Sequence, residues 1–283
     1  MLERLRKRHP IGYCVLAEVL FLALMMAGSF VVVLALLRSR VNPLLLDDYL
    51  MGALQELIGV AVAYALLART NRLEVLRRRG CGLLNGLLVG MFPLFLVANA
   101  FVQNLIAAPG DVPMRSWYLI LFYLVSMTLV GVAEEMLFRG VIAQTLLEHY
   151  GTGRAGVWKA CLLSGLLFGA AHLTNLMSSA PFGVLMQVVF AASLGTLYAA
   201  IYFRTGNLWV TVVLHAGMDI SSMILGGLYG TISMEEAVSS YDATMLLSVL
   251  IYLIPTAFLL RRKKLAEVAI YSDYTGFDTP AQP

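Results

Sequence analysis

ACLLSGLLFGAAHLTNLMSSAPFGVLMQVVFAASLGTLYAAIYF, residues 160–203, contains no Lys, Arg, Asp or Glu. A helix crosses a hydrocarbon core of about 30 Å with about 20 apolar residues, so this stretch is long enough to cross, turn and cross again. The turn is NLMSSAPFG, 175–183, where Asn and Ser gather ahead of Pro181; polar residues followed by proline mark a break between helices. The stretch therefore sets the fold class: helices that pass through lipid and return.

The rest of the chain has the same character. Its 283 residues are 60% hydrophobic and 13% charged, with mean hydropathy +0.81, whereas a soluble domain is about half apolar and a quarter charged. The expected fold is all-α, a polytopic membrane protein with eight transmembrane helices at 11–37, 49–68, 83–107, 116–138, 157–176, 181–203, 207–228 and 243–260. Residues 1–264 form one membrane-embedded domain, with no internal repeat. The tail 265–283 is expected to be disordered and cytoplasmic, because the segment after RRKK (261–264) has little to bury.

Charge sets the orientation. Of the 20 Lys and Arg, 17 fall in the N-terminus, the even-numbered loops and the C-terminus. Basic loops stay in the cytoplasm, so both termini are expected there and the acidic loop with Glu235, Glu236 and Asp242 outside. The net charge of +3 follows from this bias, and the expected surroundings are a lipid bilayer, with no nucleic acid. The basic start RLRKRH precedes an apolar run too long for a signal peptide's h-region of about 7–15 residues, so it reads as a retained first helix. Cys14, Cys81 and Cys161 map near the cytoplasmic side, where disulfides are rare, and form neither a staple nor a Cys-based zinc site.

A charge at bilayer depth costs roughly 2.5–3.5 kcal/mol even on the lenient insertion scale, so an ionisable residue kept there is a candidate for function. GVAEEMLFRG, 131–140, holds three. Glu135 and Arg139 are four apart with the acid first, the favourable order for a pair on one helix face; Glu134, rotated by about 100°, is left free for chemistry. FGAAH (168–172) puts Phe168 and His172 on one face, and HAGMD (215–219) does the same for His215 and Asp219, with small residues between that let a neighbouring helix approach. Taken singly, His172 reads equally as a helix-to-helix hydrogen-bonding residue, and Glu18 and Glu56 as packing or interfacial carboxylates. Together, Glu, His, His and Asp from three helices can hold a divalent metal or act as general base and oxyanion donors for attack of water on a carbonyl.

EEMLFRG, FGAAH and HAGMD resemble the E-E-x-x-x-R, F-x-x-x-H and H-x-x-x-N/D signatures of the CPBP intramembrane proteases, which include type II CAAX prenyl endopeptidases and bacterial proteins linked to bacteriocin processing or self-immunity. The resemblance covers about residues 115–228. It implies that Glu134 and His172 activate the attacking water, that His215 and Asp219 stabilise the oxyanion or hold a metal, that Glu135 and Arg139 shape the site, and that Phe168 packs beside His172. Asp219 stands where this family often has Asn; an ionised carboxylate only accepts hydrogen bonds, so it would act through His215 or as a metal ligand. Zinc bound by Glu134, His172, His215 and Asp219 is one expectation and a metal-free mechanism the other, since H-E-x-x-H is absent.

The expected function is an intramembrane endopeptidase of the cell membrane, by resemblance a bacterial plasma membrane, acting on a membrane-associated or lipidated peptide or a membrane-protein substrate. The alternatives are a noncatalytic membrane partner of the self-immunity or regulatory kind and a proton-coupled transporter, against which stands the lack of an internal repeat or of paired broken helices. The sequence assigns no oligomeric state. One geometric condition follows. If the fourth span ended at Arg139, Glu134 would lie about 7 Å from the membrane edge and His172 about 20 Å. The fourth helix is therefore expected to run on through VIAQTLLEHY, with Arg139 buried against Glu135.

Overall fold

The computed structural model describes residues 2–273, and over them the regular elements are helices. They are α1 (Leu2–Arg8), α2 (Pro10–Arg38), α3 (Asp48–Arg69), α4 (Leu83–Val89), α5 (Met91–Ile106), α6 (Trp117–Glu135), α7 (Gln144–Tyr150), α8 (Arg154–Ala171), α9 (Pro181–Thr205), α10 (Leu208–Ser222), α11 (Ile224–Tyr229), α12 (Met234–Ser239), α13 (Leu247–Leu259) and α14 (Leu265–Asp273). A π-helical segment, Met136–Ala143, joins α6 to α7. Five helices are long and apolar enough to cross a membrane, or up to seven if each sharply bent pair counts as one span. The protein is an all-helical membrane protein.

The uncharged stretch folds as α8 and α9, joined by the 3₁₀ turn His172–Met177, with Pro181 at the first turn of α9. Proline suits that position because no hydrogen bond is lost there. The two helices are nearly in backbone contact: a Cβ on Gly165 would lie 2.2 Å from Thr196 Oγ1 and 2.5 Å from the Ala192 carbonyl. From Ser193 to Thr205, α9 is buried throughout, and the rest of the bundle is arranged around it.

The ends of the bundle separate by charge. At one, Arg6 and Arg72 both pair with Glu148, and Arg204 pairs with Glu267; Cys81 N–H donates to the Thr205 carbonyl (2.9 Å) and Asn207 Nδ2 to the Arg79 carbonyl (3.1 Å). At the other, Asp47 caps α3 and pairs with Arg115, and Ser233 with Glu236 closes a capping box on α12.

Several boundaries differ from the sequence expectation. The third segment is broken at Gly90, where α4 and α5 meet at 83° and a Cβ would lie 2.6 Å from Leu214 Cδ1. The fifth segment runs Arg154–Met177, its last six residues forming the 3₁₀ turn, and the seventh is divided at Met223 into α10 and the six-residue α11. The C-terminal segment was expected to be disordered, but Leu265–Asp273 is helical: Val268 is buried, and Glu267 pairs with Arg204 and Lys264. The remainder of that tail, 274–283, lies outside the described residues.

The fourth helix does run on. Trp117–Tyr150 is one helical run of 34 residues, about 50 Å at 1.5 Å per residue, and Glu134 falls near its middle. Arg72 holds the far half in place, donating to the Val141 carbonyl (2.9 Å) and Thr145 Oγ1 (3.0 Å). Measured along their own helices, Glu134 lies about 24 Å from Tyr150 and His172 about 27 Å from Arg154. The depth mismatch disappears.

Candidate active site

Close helix contacts build the site. A Cβ on Gly131 would lie 3.0 Å from the Ala216 N, so α6 and α10 meet without intervening side chains. They run antiparallel there, with Tyr123 OH bonded to the Ile220 carbonyl one end along. Glu134 and Glu135 from α6 and His215 and Asp219 from α10 are thereby brought to one level.

Glu135 and Arg139 are completely buried, with 0% side-chain exposure each, and form an ion pair at 3.1 Å. Burying two charges costs several kcal/mol per ion unless the remaining polar atoms are engaged. Arg139 Nη2 donates to the Gly195 carbonyl (3.3 Å), and the guanidinium lies 4.8 Å from the Phe168 ring centroid and 5.5 Å from that of Tyr198. Aromatic faces attract a cation most where water is excluded. The π segment carries Arg139, and such segments recur at functional sites.

Glu135 Oε1 also accepts from His215 Nδ1 at 2.9 Å. That bond fixes the ring, which packs against Phe168 (5.5 Å between centroids) and Tyr198 (5.7 Å), and turns Nε2 toward two further carboxylates. Glu134 Oε2 is 3.6 Å from Nε2 and Asp219 Oδ2 is 3.5 Å. Unlike the anchored pair, these acids are partly open, with 23% and 27% side-chain exposure.

His172 is the first residue beyond α8. Its Nδ1–H donates to the Phe168 carbonyl at 2.9 Å; a carbonyl only accepts, so Nε2 keeps its lone pair. Phe168 stands between the two imidazoles, edge-on to His172 at 5.2 Å and to His215 at 5.5 Å.

The structure therefore draws Glu134, Glu135, Arg139, Phe168, His215 and Asp219 into one contact network and places His172 on the same phenylalanine. Neither the Glu135–His215 bond nor the part played by Tyr198, whose hydroxyl donates to the Leu214 carbonyl (3.1 Å), was legible from spacing, because both are cross-helix contacts. Glu56 lies closer to the cluster than a packing role needs, within electrostatic reach of Glu134, Asp219 and His215. Glu18 is buried on α2 with Oε2 unpartnered.

The four expected zinc ligands do not fit a metal as placed. Among the described residues no three His, Cys, Asp or Glu side chains gather in a metal-holding group; the bonds at Nδ1 of the two histidines leave each Nε2 able to ligate, so the misfit lies in the spacing of the four side chains.

Residues 116–221 match the family described as Rce1-like, type II CAAX prenyl endopeptidase Rce1-like. The matched segment contains all three motifs and supports the assignment to the CPBP proteases. No curated protein matches the chain.

Proposed function

We propose that this membrane protein, whose segment 116–221 matches the Rce1-like family of type II CAAX prenyl endopeptidases, is an intramembrane endopeptidase that hydrolyses a peptide bond of a membrane-associated or lipidated peptide with Glu134 and His172 as the water-activating pair. The observation that carries this reading is the difference between two neighbouring acids. Glu135 is neutralised by Arg139 and His215, while Glu134 stands partly open beside His215 Nε2.

In this reading water is held between Glu134 and the free Nε2 of His172, and its proton passes to them as oxygen attacks the peptide carbonyl. His215 gives its Nε2–H to the developing oxyanion. Asp219 braces that proton at 3.5 Å and Glu135 holds the ring from behind, so neither needs to touch substrate. The 3.5–3.6 Å spacings around Nε2 are long for direct hydrogen bonds and suit a bridging water or substrate oxygen. The collapsing intermediate takes the proton back on its leaving nitrogen. Arg139 and Phe168 shape the pocket. No step is routed through zinc, and a membrane-permeant chelator is expected to leave cleavage unchanged.

The site is proposed to lie in the plasma membrane with both chain termini in the cytoplasm. The test compares peptides released from membranes containing the wild type, Glu134→Gln or His172→Ala: cleavage should vanish in both variants while the proteins still insert. Full activity in both would leave the noncatalytic-partner reading standing.

A further inference from the structure

A third helix brings another carboxylate to the open side of the cluster. α3 runs parallel to α6 in tight register: a Cβ on Gly52 would lie 2.8 Å from Ser126 Oγ, and one on Gly59 3.2 Å from Ala133 Cβ. Glu56 sits between those contacts, about one helical turn from the level of Glu134. Its Oε2 is buried without a hydrogen-bond partner, as are Oε2 of Glu134 and Oδ2 of Asp219. A carboxylate kept in that state is costly; Arg139 is committed to Glu135 and Gly195, and the imidazole of His215 is shared among Glu134, Glu135 and Asp219.

Glu56 is open in one direction. It lines a cavity of about 860 Å³ that passes Met127 and Val130 and reaches Asp48, Thr231 and Glu235 at the acidic end of the bundle. That is the size of sites that enclose small ligands, enough for a few residues of an extended peptide. Of the other charged groups on its wall, Asp47 and Arg115 pair with each other, and Glu236 is held in the capping box of α12. Asp48, Glu235 and Glu56 remain, with Glu56 at the inner end about 12 Å along α3 from Asp48.

We propose that this cavity receives the peptide segment on one side of the scissile bond and that Glu56 selects a cationic side chain, lysine or arginine, within it. The inference rests on the hydrolase reading above. A Lys or Arg head group brings a positive charge and charge-assisted hydrogen bonds to a carboxyl oxygen that has no hydrogen-bond partner, and an acidic side chain in its place is rejected by repulsion.

The test uses the full chain in liposomes with reporter peptides anchored by an alkyl chain, in which Lys, Leu or Glu is scanned through four positions on each side of the bond. At one position the wild type should prefer Lys over Glu at least tenfold in kcat/KM. Glu56→Gln, which keeps size and shape, should reduce that ratio to about twofold or less, and Glu56→Arg should invert it. A ratio cancels any overall loss of activity or folded protein. An unchanged ratio in Glu56→Gln, or no charge preference at any position in the wild type, would overturn the assignment of Glu56 alone. Failure of the wild type to cleave any Leu peptide, or cleavage undiminished in Glu134→Gln, would instead overturn the hydrolase reading.

Discussion

Glu134 and Glu135 are adjacent in the chain and belong to opposite halves of the site. The half around Glu135 is fully buried: Arg139, the Gly195 carbonyl, Phe168, Tyr198 and His215 Nδ1 fill the space around it and pair its charges, although Glu135 Oε2 and Arg139 Nε make no hydrogen bond. The half around Glu134 is partly exposed, with Asp219 and Glu56 nearby and carboxyl oxygens of Glu134 and Asp219 that reach His215 Nε2 only at 3.5–3.6 Å. About 100° of rotation around one helix separates a group used for shape from one available for chemistry. A charge in a membrane protein is thus understood from the state of its partners more than from its depth.

Substitutions that separate the two halves test this difference, and the open half should show the largest effect. Glu134→Gln and His172→Ala are each expected to lower the cleavage rate by about 10²–10⁴-fold, the usual contribution of a general base, with the thermal unfolding midpoint in detergent unchanged. In the filled half the loss should appear first as instability. Glu135→Ala or Arg139→Ala leaves a buried charge uncompensated, at about 3–5 kcal/mol, read as a lowered unfolding midpoint; replacing both with Leu and Met should cost much less than either alone. Further from the chemistry, Gly165→Ala forces α8 away from α9 and should destabilise by about 1–3 kcal/mol, also shifting His172. The smallest effect is expected at the boundary between halves: Asp219→Asn keeps the shape and supplies an amide donor, so activity should stay within about tenfold, measured as kcat/KM on one reporter peptide.

Much of this was legible in the sequence, for identifiable reasons. Apolar length located the helices, and the lack of a breaker between Arg139 and Gly151 foretold that the fourth would run on and bury Arg139. Spacing of three and four residues paired Glu135 with Arg139 and put His215 and Asp219 on one face. The π segment at Met136–Ala143 was not legible, because apolar periodicity does not distinguish an i→i+5 turn from an α-helical one. The change from α-helix to 3₁₀ turn at His172 was not legible either, since Leu173, Leu176 and Met177 continue the apolar run. Gly90 gave no cue beyond being a glycine; its neighbour Leu214 lies far away in the chain. For the same reason Glu56 read as packing, and only the register of α3 on α6 reveals what it faces.

The most direct measurement is the incorporation of ¹⁸O from labelled water into the new carboxyl terminus released by the reconstituted protein, compared between the wild type and Glu134→Gln. One labelled oxygen per product in the wild type, and no product above background in the variant, is the predicted result. Product formed at the wild-type rate by Glu134→Gln, or a product without label, would contradict water activation by the open carboxylate.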